Sequence, residues 1–429
     1  MSDTGHSAGR SILRGMLWVG GFVFLAKLAG AFKEMAVASG FGTAPAVDGY
    51  LLAFNVVNYP VALALGVVSI VLVPLSARLQ GGDKAELHRF RSELLGWTLA
   101  AGVLIGVGLF LCAPVLPQIV HGQGGGIGEG MLQVLALIVP FGLISSLLAS
   151  WMLAAGRHLN TLLEAVPSLV LLLALLLLDA RPAVLIWGTV FGFAVQAGTF
   201  IWFARRAGEF EVPRLSFKAL AWIDFRRGFG VMLFAQALTA LLPLLDQFFC
   251  GSLGDGAIST LGYANRIMAL LLGLGATSLS RACLPVLSRV VAKGEDLRGR
   301  LGRWVLLIVV ASVVCAGVAA LLAPQGVRLL FERGAFTPED SVQVTEVLRW
   351  SLIQMPAYFV AIFMFNVMAA TQRHAVLIVV ILLGIVVKAL AYVILIDSLG
   401  LNGVVLSSVV MHLFSALCLC LYFFGTWKE

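Results

Sequence analysis

The sequence predicts an all-α polytopic membrane protein, with about twelve spanning helices in two six-helix lobes related by a parallel pseudo-two-fold repeat. Three observations predict it. Hydrophobic residues fill 60% of the 429 positions and charged ones only 12%, with a mean hydropathy of +1.00, whereas a soluble domain is about half apolar. Apolar runs of spanning length recur from end to end. The longest polar interruption, 205–227, falls near the middle of the chain.

A spanning helix needs about twenty apolar residues. On that criterion the runs are 12–38, 46–77, 90–112, 131–155, 160–178, 183–204, 228–251, 257–288, 303–323, 342–370, 375–396 and 402–425. Residues 1–11 read as a cytoplasmic tail. The run that follows lacks a small-residue cleavage site, so it is expected to be a retained first helix. The N-lobe is then 12–204, a basic cytoplasmic linker 205–227, the C-lobe 228–425 and a cytoplasmic tail 426–429. Several runs exceed the bilayer thickness, which makes Pro60, Pro243 and Pro356 the expected kinks.

Basic residues set the orientation. With the N-terminus inside, the inner loops hold Arg78, Lys84, Arg89, Arg91, Arg157, Arg205, Arg206, Arg214, Lys218, Arg226, Arg227, Arg289, Lys293, Arg298, Arg300, Arg303 and Arg373. The outer loops hold only Arg181, Arg328 and Arg333, which puts both termini in the cytoplasm. This asymmetry accounts for the net charge of +7 with no nucleic-acid partner. The six cysteines lie in or beside apolar runs without a CxxC pair and read as packing residues. The sequence carries no Walker motif, G-x-S-x-G or H-E-x-x-H, so it points to a transporter, not an enzyme, and to no cofactor.

The halves repeat. Each opens on a basic residue and a glycine (Arg14 and Gly15; Arg227 and Gly228) and breaks at a glycine pair (Gly40 and Gly42; Gly251 and Gly254). Each then closes its second helix on a proline followed by an arginine, Pro74 to Arg78 and Pro285 to Arg289. Six crossings return the chain to the same side, so the repeats are parallel and the site is expected between the lobes.

Charges inside apolar runs are costly and are functional candidates by default. Lys27, Lys33 and Glu34 fall in the first run, and Arg266 and Arg281 in the eighth. Lys27 and Glu34 share a helix face, about twenty degrees apart, so they could pair with each other or line a cavity. Arg266 and Arg281 lie about sixty degrees and ~22 Å apart, different depths on one half of a helix, as a path for an anion requires. Asn55, Asn58 and Tyr59, beside Pro60, could reach sugar hydroxyls or make interhelical contacts. Asp246 and Lys388 are the other deep charges, read as an ion-coupling site or a charge pair. Glu164, Arg349 and His412 read as packing or interfacial residues, and 331–336 as an amphipathic interfacial element.

Lys27, Gly30, Lys33, Glu34, Gly40, Gly42, Asp48, Val73 and Pro74 together resemble the opening hairpin of the MurJ (MviN) family. That family belongs to the multidrug, oligosaccharidyl-lipid and polysaccharide exporter superfamily. Tyr263 to Met268 with Leu284 to Arg289, Leu330 to Thr337, and Gly400 to Gly403 are similar to its later motifs, in the same order. The resemblance implies a flippase that carries an undecaprenyl-diphosphate-linked sugar, lipid II or a related polysaccharide repeat unit, to the outer leaflet by alternating access. It implies a bacterial inner-membrane location, a monomer among membrane lipids, and glycosyltransferases or cell-wall synthesis proteins as partners. Lys27, Lys33 and Arg266 match the family's cavity arginines, with lysine at the first two, and Asp48 matches its acidic residue opening helix two. Helix two lacks the family's paired arginines, and the chain stops short of two further helices that family members usually carry. The resemblance also implies a sodium site of the kind some family members have, with an acidic residue near the Asp246 position and an asparagine near the Lys388 position. A lysine there implies a tethered cation instead, leaving the membrane potential or protons to drive transport. An ion-coupled multidrug exporter of the same superfamily and a non-transporting scaffold of a cell-envelope complex are the alternative readings.

Overall fold

A computed structural model of the chain describes residues 21, 24–80, 84–115, 129–157, 160–292, 297–371 and 373–426. Among them there is no strand. The helices are α1 (24–41), α2 (Pro45–Gln80), α3 (Lys84–Cys112), α4 (Glu129–Leu135), α5 (Ile138–Ala154), α6 (Asn160–Leu163), α7 (Val166–Leu177) and α8 (Pro182–Arg206). After them come α9 (Trp222–Cys250), α10 (Ala257–Ala292), α11 (Leu297–Phe331), α12 (Pro338–Leu352), α13 (Met355–Ala370), α14 (His374–Leu399) and α15 (Leu401–Thr426).

These helices overlie the expected apolar runs, with local differences. The runs at 131–155 and 160–178 are each broken, into α4 and α5 and into α6 and α7. The run at 342–370 is α12 and α13, which meet at 44°. Among the described residues nine helices are long and apolar enough to span a bilayer, and the bent pair makes a tenth. The start of the first run lies outside the described residues. Pro356 opens α13, where its missing N–H leaves no helical bond unmade. Pro60 and Pro243 instead lie inside continuous helices, α2 and α9.

By internal packing the chain falls into two units. The first holds the described residues of Met1–Phe41, Gly49–His121 and Gly126–Leu244; the second holds those of Gly42–Asp48 and Leu245–Glu429. The division passes through α9 immediately after Leu244. Large apolar side chains stay exposed on both units, Leu104 at 72% and Leu321 at 74% among them. In water they would be a liability; in hydrocarbon they are the solvent-facing surface.

The core of the first unit is aromatic and sits at one end of α3. Phe90 packs edge-on against Trp222 and Phe225, at ring separations of 5.4 and 5.7 Å. Trp151, Leu147, Leu94 and Phe200 complete it. Residues 209–219 carry no helix and run across α3 as a strap. Gly96 makes the approach possible, because a Cβ there would overlap the backbone of Arg214. Arg214 N donates to Ser92 O at 3.0 Å, and Trp97 Nε1 to Ser216 O at 3.0 Å.

Glu93 anchors the strap. Its carboxylate, 2% exposed, accepts from the Ser216 hydroxyl, from Lys218 N at 3.2 Å, from Ala219 N at 3.1 Å and from Trp222 Nε1 at 2.8 Å. One buried charge thus satisfies the donors of a segment with no secondary structure of its own.

The second unit is built on Phe363, Met364, Val367 and Met368 of α13 against Leu419 and Phe423 of α15. A second aromatic group, Tyr263, Phe331 and Phe336, has ring separations of 5.0 and 5.4 Å from Tyr263. Phe331 and Phe336 are buried and Arg333 to Ala335 exposed, so the segment expected to be amphipathic is a turn with one packed side. It leads into α12, whose Thr337 and Asp340 form a reciprocal capping box. Gly42 approaches this turn with φ of +58°, and a Cβ on it would strike the Ala335 carbonyl oxygen. Gly254, in the corresponding break of the second half, also has positive φ, at +108°.

Replacing Glu93 by alanine should leave the buried strap donors unsatisfied and cost about 2–4 kcal/mol. The expected readout is a lowered melting temperature in detergent, with faster tryptic cutting between Arg205 and Arg227. Glu93→Gln should lose less of both, since its amide oxygen still accepts.

Candidate functional site

The charges of α1 divide into a pair and an exposed cation. Lys33 and Glu34 form an ion pair, with Glu34 buried. Lys27 is exposed and makes no ion pair among the described residues. Helical spacing favours Lys27 as the partner of Glu34, yet Lys33 takes that place. Its flexible four-carbon stem carries the ammonium around the helix to its neighbour.

Lys33 also lines a cavity of about 330 Å³ inside the first unit, enclosed by α1, α2, α5, α7 and α8. Part of its polar lining is already bonded. Tyr50 and Thr189 share a hydrogen bond of 2.8 Å, Ser146 Oγ donates to Gly142 O at 2.9 Å, and Gln196 Nε2 donates to Leu163 O at 3.2 Å. Asn58 lines the cavity and Asn55, half-buried on α2, does not. Tyr59 turns away, its hydroxyl donating to Ala237 O at 2.9 Å. Glu164, expected as a packing residue, is exposed into this cavity beside Ser168.

In the second unit Asp48 is 2% exposed and serves a helix end. Its Oδ1 accepts from Ser259 N, in the first turn of α10, at 2.7 Å. A carboxylate there meets unpaired backbone N–H groups and the positive end of the helix dipole. The neighbouring contacts tie the same turn down: Tyr263 donates to Gly42 O at 2.9 Å, and Thr43 to Asp340 at 2.5 Å. Arg266 lies half-buried two turns further along α10 and is engaged within the protein. Arg281 sits in the same helix, but its side chain lies outside the described residues.

Asp246 of α9 and Lys388 of α14 meet. The ammonium lies 2.9 and 3.1 Å from the two carboxylate oxygens, and Lys388 is 2% exposed. Tyr392, one helical turn on and fully buried, donates its hydroxyl to the same carboxylate. Phe249 stacks on the Tyr392 ring at 4.3 Å. The cluster is neutral in sum, and its carboxylate is bonded from two sides, which is what makes a buried pair tolerable. His412 packs edge-on against Tyr358 at 5.1 Å, and Arg349 Nε donates to Ala320 O at 3.1 Å. Among the described residues no three His, Cys, Asp or Glu side chains converge as a metal site would need. Lys388→Ala should leave the half-buried Asp246 with Tyr392 as its remaining partner, at a cost of about 2–3 kcal/mol, below the full penalty of a broken buried pair. The double variant Asp246→Asn with Lys388→Met should recover most of that loss in thermal unfolding.

Sequence reasoning passed over Tyr392 and the Thr189 and Gln196 part of the cavity wall, although it had singled out Asn58. The signal was present: Thr189 and Gln196 stand seven apart in an otherwise apolar helix, a spacing that puts both on one face.

The family described as "Lipid II flippase MurJ" matches residues 37–426. The probable lipid II flippase MurJ of Rhizobium meliloti (strain 1021) is 26% identical over 380 residues, covering 81% of this chain and 68% of its own. That of Bdellovibrio bacteriovorus is 24% identical and covers 96% of this chain and 82% of its own. Among solved structures, a lipid II flippase MurJ in an inward closed conformation aligns with a TM-score of 0.81 at 17% identity, over 96% of this chain and 88% of its own. An inward-facing multidrug transporter of the MATE family aligns with a TM-score of 0.74 at 16% identity, over 92% and 93%. The structural likenesses show a shared fold, and the match over 37–426 adds the lineage: this chain belongs to the MurJ lipid II flippase family.

Proposed function

We propose that this membrane protein moves an undecaprenyl-diphosphate-linked sugar, lipid II or a related polysaccharide repeat unit, from the inner to the outer leaflet by alternating access. The family match across residues 37–426 carries this reading. A family of flippases transports and does not catalyse, which fits a chain without the sequence signatures of ATP hydrolysis or covalent chemistry. The basic-residue asymmetry supports a bacterial inner-membrane orientation with both termini cytoplasmic. The working unit is a monomer whose functional neighbours are glycosyltransferases or cell-wall synthesis proteins.

Lys27, Lys33, Arg266 and Arg281 are the cations we assign to the diphosphate. Charge-assisted hydrogen bonds to phosphate are strong where water is scarce. Lys33 reaches a phosphate only by sharing itself with Glu34, so its contribution is the smaller of the set. Coupling falls to the membrane potential or protons, because the Lys388 ammonium already fills the cation's part beside Asp246. At about 2.3 kcal/mol per charge per 100 mV, the potential acts strongly on an anionic cargo.

The fold likeness to a multidrug transporter favours a second reading, an ion-coupled multidrug exporter of the same superfamily. Proteoliposomes holding a labelled lipid-linked sugar separate the readings. Lys27→Ala and Arg266→Ala should each slow its appearance in the far leaflet about ten- to a hundredfold, the worth of one charge-assisted bond. Undiminished transfer in both, and in Lys33→Ala, would sink the cationic site; no transfer by the unaltered protein would overturn the flippase reading and favour the exporter or a scaffold. Transfer should not depend on sodium. A sodium dependence lost in Asp246→Ala yet kept in Lys388→Ala would overturn the tethered-cation assignment.

A further inference from the structure

The cavity of the first unit is poorly made for a phosphate. Its one cation, Lys33, is paired with Glu34, and Glu164 brings a carboxyl group with no ion-pair partner among the described residues. A phosphate placed there would face that carboxyl group. The cavity's remaining features suit a neutral ring.

Part of the lining is aromatic. Tyr50 and Phe54 stack at 5.9 Å, and Phe193 tilts against Phe54 at 6.3 Å. The lining also includes Asn58, Ser168 and Glu164, whose side chains make no hydrogen bond among the described residues. Together they offer amide, hydroxyl and carboxyl oxygens to hydroxyl donors, and Asn58 adds an N–H for a hydroxyl or carbonyl oxygen. Sugar rings present C–H faces to aromatic surfaces and hydroxyls at their edges, so both parts of the lining would be used at once. The volume of about 330 Å³ lies within the range of small-ligand sites. A second cavity of about 380 Å³ shares Leu65, Ala149 and Glu164 with it and so lies against the same wall.

We propose that this cavity is a carbohydrate subsite for the neutral sugar of the lipid-linked glycan; of the cations assigned above to the diphosphate, Lys33 lines it, already paired with Glu34. The proposal rests on the flippase reading above and adds to it where the sugar goes.

The test is saturation-transfer NMR on the full chain in nanodiscs, titrated with the neutral disaccharide di-N-acetylchitobiose. Saturable binding is expected, and inorganic pyrophosphate should not displace it. The isosteric Glu164→Gln and, independently, Asn58→Ala should each weaken it about five- to tenfold, the worth of a lost hydrogen bond. Undiminished sugar binding in both variants, displacement by pyrophosphate, or no sugar binding while ethidium saturates the protein would each overturn the subsite. Leaflet transfer of labelled lipid-linked sugar, measured on the same preparations, keeps the two readings apart. Transfer without sugar binding overturns the subsite alone. Sugar binding that both substitutions weaken, with no transfer, upholds the subsite's ligand and overturns the flippase reading.

Discussion

An ionised side chain inside hydrocarbon must find a partner, and much of this structure follows from that requirement. Asp246 is held by Lys388 and Tyr392, Glu34 by Lys33, and Asp48 by the first turn of a helix. The first and last use a charge to join distant parts of the chain, whereas Lys33 and Glu34 are neighbours on one helix. Each also removes that charge from the pool available to a cargo. Only after this internal pairing does the protein's cationic character as a transporter become a matter of particular residues, not of composition.

The same constraint governs backbone without regular structure. Residues 209–219 leave the helical pattern, and their donors would be orphaned against α3 if Glu93 were not there to collect them. Gly96 lets the strap lie close, and the aromatic cluster around Trp222 closes over the joint. At the break between α1 and α2, Gly42 provides a left-handed turn in contact with the Ala335 carbonyl, which no larger residue could occupy. Both places are rigid because a side chain is absent at one position and a charge is present at another.

For a flippase, the distribution of polarity within the first unit is informative. The cavity combines aromatic rings with neutral polar groups and one carboxyl group, while its lysine is compensated. A lipid-linked glycan is chemically divided in the same way, into an anionic diphosphate and a neutral sugar. A protein that handles the two parts with different side chains can vary its sugar preference without disturbing its hold on the diphosphate, which lipid-linked cargoes of this class share.

The sequence by itself determined that this is a helical membrane protein, where its helices run, and which family it resembles. Those properties depend on apolar length and on local glycine and proline punctuation, both written along the chain. It also exposed Lys27, Lys33, Asp246, Arg266 and Lys388, because a charge deep in an apolar run needs no structure to be noticed, while Glu93, near the start of its run, was passed over. What only the tertiary structure decided was the partner of each. Helical geometry favours Lys27 with Glu34, yet a flexible neighbour, Lys33, reaches the carboxylate first. Asp48 could line a cavity by position, but it caps α10, more than two hundred residues away in sequence. Thr189 and Gln196 of the cavity wall drew no notice beside Asn58, because small polar side chains in membrane helices usually satisfy themselves on backbone carbonyls. Only packing shows which of them also meet an open space.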